Sequence, residues 1–292
     1  MNNPLWPFSL IEEASLGKEA LTACVLALVL TPGLFSRNAA TASATPLDVG
    51  YQEMYDLRFD QARRSFEQWQ RLHPADPMGP ASEAASYLFS EFNRLDILHS
   101  QFFVDNKQFK ERPRPAPNPA AKQAFESAIG RSLRLANARL AGAPDDTNAL
   151  LAKVLDDGLR ADYLALIEGR NLASLRYMKR AGTLADRLLK TDPSCYDAYL
   201  ATGAENYLLS LNPAPVRWML RLYGVESDKA RGIQELQLTA EKGHYLRPYA
   251  RLLLAVVALR DKNRSQAMAL LEGLARDFPD NPLYAQELAL LQ

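Results

Sequence analysis

The chain has 292 residues, 48% apolar and 23% charged, and its 34 basic side chains are matched by 34 acidic ones. A chain this apolar can bury a core, which excludes wholesale disorder. Charge balance argues against a dedicated nucleic-acid binder, and two cysteines exclude a disulfide framework. Leu and Ala together number 91, whereas Ile, Val and Thr together number 23. The first two are strong helix formers and β-branched residues favour strands, so the expected class is all-α.

In chain order, the first feature is the apolar run ALTACVLALVL from Ala20 to Leu30, extended by TPGLF to Phe35. It is short for a bilayer-spanning helix, which needs about 20 residues, and it suits the apolar region of a secretory signal. Ala42-Ser43-Ala44 supplies the small-x-small pattern before a cleavage site. The expectation is a leader over 1–44 and an exported, periplasmic protein; the alternative is an inner-membrane anchor formed by residues 20–35. Removing the leader takes away Lys18 and Arg37 against Glu12, Glu13 and Glu19, leaving 32 basic and 31 acidic side chains. Cys195 is then the only cysteine.

After Gly50 the sequence reads as successive helix pairs. Gly50 and Ala62 are small enough for two helices to approach closely, Phe59 and Phe66 fill the space beside them, and Pro74 ends the second helix. Gly169, Ala181, Leu188 and Pro193 form a second register. Tyr199 and Gly203 begin a third, and Leu254, Ala255, Ala267, Leu271, Leu274 and Pro279 a fourth. NPLYAQELALLQ reads as a terminal capping helix. On these residues the chain resembles the tetratricopeptide-repeat (TPR) superfamily. The resemblance implies a right-handed α-α superhelix, a TPR-like solenoid of about five helical hairpins over 45–292.

Two insertions interrupt the period. One, at about 101–119 (QFFVDNKQFKERPRPAPNP), has alternating prolines that favour an extended loop. The other, at about 212–226 (NPAPVRWMLRLYGVE), reads as a short apolar helix closed by Gly224. Together with Leu-Ser-Leu before it and Asp228, Gly232 and Leu236 after it, this stretch is similar to TPR proteins related to the fungal inclusion-clearance family and its animal relatives. It is also similar to exported bacterial repeat proteins.

Catalytic motifs are absent. His73, His99 and His244 have no second His or Cys at helical spacing, and no GxxxxGK[ST], GxSxG or HExxH occurs. Cys195 stands near a helix start, where a thiol can be activated, yet a structural cysteine is the expected reading. Asp145-Asp146 reads as a helix cap. Asp156-Asp157 reads as salt bridges along a helix with Arg160. A hydrolase would need Asp157, Glu205 and His244 to converge in one cleft. No cofactor or metal is expected.

The first helix of each TPR hairpin lines a concave face that binds peptides. The resemblance places Tyr51, Met54 and Tyr55 there in the first unit, and Tyr163, Leu166 and Arg170 in the Gly169 unit. It adds Leu200 and Tyr207 in the Gly203 unit, and Tyr249, Leu252 and Val256 in the last. Trp218, Met219, Leu222 and Tyr223 of the second insertion form a second candidate contact, suited to a partner or a peripheral membrane surface. The expected function is a non-enzymatic interaction scaffold in the bacterial envelope with a protein or peptide partner and no nucleic acid. The alternative is a carrier of an apolar small molecule or lipid in the groove.

Overall fold

A computed structural model describes residues 44–97, 116–211 and 228–291, and among these it contains α-helices and no strand. The leader expected over 1–44 lies outside the described residues apart from Ala44. So do Trp218, Met219, Leu222 and Tyr223, and most of the 101–119 insertion.

The eleven described α-helices are α1 (Pro46–Tyr55), α2 (Phe59–Leu72), α3 (Met78–Arg94), α4 (Pro119–Gly142), α5 (Thr147–Asp162) and α6 (Asn171–Thr191), followed by α7 (Tyr199–Ser210), α8 (Lys229–Lys242), α9 (Arg247–Arg260), α10 (Arg264–Asp277) and α11 (Pro282–Leu290). Several start on side chains that satisfy the open N–H groups of a first turn. Thr45 and Asp48 form a reciprocal capping box on α1. Asn118 accepts from Ala120 N at 2.9 Å, Asp146 from Ala149 N at 2.8 Å, and Asp228 from Ala230 N at 2.9 Å. Pro119 is therefore the first residue of α4, not the end of an extended loop.

Chain neighbours pack as hairpins: α1 with α2, α3 with α4, α5 with α6, α7 with α8, and α9 with α10, with α11 against the last. Small residues set the closest approaches. A Cβ on Gly50 would lie 2.3 Å from the Phe66 ring, so the fully buried phenylalanine occupies the space that the glycine leaves. In the fourth hairpin the backbones themselves meet. A Cβ on Gly203 would lie 2.9 Å from Leu236 N, and one on Gly232 would lie 2.6 Å from Tyr207 N. Ala62, Ala181, Ala255 and Ala267 are buried at the interfaces the spacing implied.

Gly169 departs from that scheme. It has φ +68° and follows a π-helical turn, Tyr163–Ile167, that prolongs α5. Its role is to let the chain turn toward α6 through left-handed backbone, not to admit a neighbouring helix. The π turn also carries one extra residue per turn, which rotates the side chains after Asp162 away from the register of the other hairpins.

The first and last hairpins touch. Tyr55 Oη donates to Tyr245 O (3.1 Å), Asn281 Nδ2 donates to Tyr55 O (2.8 Å), and Gln52 Nε2 donates to Asp277 O (3.0 Å). His244 Nε2 lies 2.8 Å from Asp48 Oδ1. Tyr51 stacks on Tyr245 with ring centroids 4.7 Å apart, and Tyr55 meets Phe278 at 5.4 Å. Burial of these aromatic faces supplies the driving force for contact between residues up to 226 apart in sequence. The hairpin array therefore closes into a ring, where an open solenoid would leave both ends in water.

Candidate functional site

Closure turns the inner face of the array into a cavity of about 380 Å³. Its wall comes chiefly from α1, α3, α5, α7 and α9, the first helix of each hairpin, because those helices face the ring axis while their partners form the outside. Nine of the eleven residues expected on the concave face line this one space: Tyr51, Met54, Tyr55, Leu166, Leu200, Tyr207, Tyr249, Leu252 and Val256. Tyr51, Met54, Tyr55 and Tyr207 are buried, with no more than 5% of their surface exposed.

Tyr163 and Arg170 are not among the lining residues. Tyr163 stacks on Phe125 of α4, with ring centroids 5.1 Å apart, and Lys122 sits over its ring. Arg170 is exposed and pairs with Glu168 at 3.2 Å. Both positions were assigned from a register anchored on Gly169; the π turn shifts the helical phase there, and of that unit's three positions Leu166 alone lies on the wall. Gly158, Met178 and Ala204, which the sequence pattern did not single out, line the cavity instead.

Of the carboxyl groups on the cavity wall, Asp197 and Asp162 differ in how they are satisfied. Asp197, in the turn before α7, accepts from His244 N (2.8 Å), Tyr245 N (3.0 Å) and Leu246 N (3.1 Å). It thus ties the fourth hairpin to the start of α9, where negative charge suits the helix dipole. Asp162, the last residue of α5, accepts from the Tyr249 hydroxyl at 3.1 Å on Oδ2 and from no other group among the described residues. It is half-buried and is one of the residues that line the cavity. Desolvation pushes its carboxyl up to about 7, with the Tyr249 hydrogen bond opposing in part.

The Asp156-Asp157 pair does not form the salt bridges expected along its own helix. Asp157 reaches across the hairpin to Arg180 NH2 at 3.2 Å. Asp156 is fully buried beside α4, and burial drives its carboxyl well above the usual range. Successive residues on a helix point about 100° apart, so the two carboxylates face two different neighbours. Asp157, Glu205 and His244 also take different partners: Arg180, Lys179 and Asp48 respectively. Burial pushes the Cys195 thiol up to about 11, which keeps it protonated and unreactive.

Among the described residues no group of three or more His, Cys, Asp and Glu could hold a metal ion, and no helix is long and apolar enough to cross a membrane. Large apolar side chains do reach solvent beside the cavity. Leu208 lines it and is 49% exposed, and Leu172, next to the lining residue Asn171, is 86% exposed.

Fold and site define a closed ring of helical hairpins around an apolar chamber. No family model, curated protein or solved structure matches the chain.

Proposed function

We propose that the chain is a non-enzymatic carrier that takes an apolar small molecule or lipid into the centre of a ring built from TPR-type hairpins. The observation that supports this reading most is the chamber itself. Its volume of about 380 Å³ falls within the range of small-molecule sites, roughly 300–1,000 Å³. Its wall is Leu, Ala, Tyr, Phe and Met, interrupted by a few polar groups, as such sites are. An apolar occupant would gain dispersion contacts along such a wall. Native mass spectrometry of the purified chain tests the reading. A copurifying small molecule released on unfolding supports it. A clean apo mass that stays unchanged after incubation with apolar compounds contradicts it.

A second reading keeps the hairpin array as an interaction scaffold in the bacterial envelope, with a protein or peptide partner or a peripheral membrane contact. Leu172 and Leu208 favour it, because large leucines left in solvent suit a docking surface. Both readings place the chain beyond the inner membrane, and an alkaline-phosphatase fusion tests that. Activity supports export, and an inactive fusion contradicts it.

A further inference from the structure

Resting on the carrier reading above, we infer that Asp162 with Tyr249 is a polar anchor inside the chamber, and that it selects apolar ligands ending in a hydroxyl group. The pair joins the end of α5 to the first turn of α9 across 87 residues of sequence. Tyr249 Oη donates to Oδ2, and no described side chain donates to Oδ1 or sets a positive charge against the carboxyl. A carboxyl oxygen on an apolar wall that has no donor among the described residues favours a ligand that brings one, since a ligand without a donor would take that oxygen out of water uncompensated. Leu166, Leu200 and Leu252 on the same wall offer no donor.

The other charged groups of the wall differ from Asp162. Asp197 is satisfied by three backbone N–H groups. Arg260 lies eleven residues beyond Tyr249 on α9, roughly 16 Å along the helix, and Glu287 belongs to α11. The chamber therefore has its donor-seeking group at the α5–α9 junction and a cation toward the far end of α9. An alcohol can donate to Oδ1 in either protonation state of Asp162. An ether cannot donate, a carboxylate is repelled by the ionised form, and an ammonium brings its own desolvation cost.

The test uses the whole purified chain at pH 8 with 1,6-diphenylhexatriene, a probe that has no polar atom. 1-Decanol, decyl methyl ether, decanoate and decylamine compete against it. The expected result is half-displacement by decanol at about tenfold lower concentration than by the ether. Asp162→Leu should erase that difference while still binding the probe, and Asp162→Asn, which keeps an acceptor oxygen, should restore part of it. Equal displacement by alcohol and ether overturns the anchor and leaves the carrier reading standing. Tighter displacement by decanoate or decylamine than by decanol also overturns it. Failure to bind the probe at all overturns both. The alcohol–ether comparison in the unsubstituted chain decides the matter even where Asp162→Leu does not fold.

Discussion

Gly158→Leu should make the protein more stable and less able to bind. Gly158 lies within α5 and lines the chamber, and a Cβ there would meet nothing within 4 Å. Replacing a mid-helix glycine with a good helix former gains about 1 kcal/mol. Moving the leucine side chain into apolar space adds about 1.5–3 kcal/mol, less roughly 0.5–1 kcal/mol of rotamer entropy. The net gain of about 2–3 kcal/mol corresponds to a rise in Tm of roughly 5–10 °C for a domain of this size. Differential scanning calorimetry reads the stability, and diphenylhexatriene fluorescence reads the remaining space. Gly273→Ala is the control, because Gly273 also faces open space within a helix but does not line the chamber. It should raise Tm by a few degrees and leave probe uptake unchanged. A lower Tm for Gly158→Leu together with undiminished uptake would refute the reasoning, since the space would then be neither open nor the binding site.

Three further outcomes follow from the same geometry. Gly232→Ala forces a methyl group to within 2.6 Å of Tyr207 N, so it should cost about 1–3 kcal/mol by overpacking, measured by urea denaturation. Asp197→Ala removes the acceptor of three N–H groups at the start of α9 and should cost about 3 kcal/mol, again by urea denaturation; a loss under 0.5 kcal/mol would show that water replaces the carboxylate freely. Stability should also depend on pH in a defined direction. Asp156, Asp157, Asp162 and Glu205 have carboxyls raised by burial, so their contribution is full below about pH 4 and is lost as pH rises through the raised values, which for Asp162 and Glu205 are about 7. Glu91, Asp146 and Glu168 are lowered by hydrogen bonds and arginine or lysine partners, so theirs is lost as pH falls below the normal carboxylate range. Maximum Tm should lie between about pH 4 and 6, and a Tm that rises steadily from pH 5.5 to 8 would contradict the assignment of buried, raised carboxyls.

The all-α class was legible in the sequence because helix propensity summed over a long chain leaves little room for strands. The close approach at Gly50 was legible too, because Phe66 lies at the spacing that a helix pair imposes. Ring closure was not. It depends on Tyr51, Tyr55, Tyr245 and Phe278 meeting across nearly the whole chain, and no local pattern distinguishes an aromatic that caps an open end from one that seals a ring. Tyr163 and Arg170 were misplaced for a local reason: a π turn adds a residue without leaving a mark in the hydrophobic periodicity. Asp162 could have been suspected only as a carboxylate following a run of apolar helix. Its partner Tyr249 comes from a helix that the sequence does not connect to it.

The central claim is that the inner wall encloses a single ligand site. Titration of the whole purified chain with diphenylhexatriene, followed by fluorescence, tests it most directly. Saturation at one probe per chain is expected, with Gly158→Leu weakening the binding. Absence of saturable binding, or binding untouched by that substitution, would contradict it.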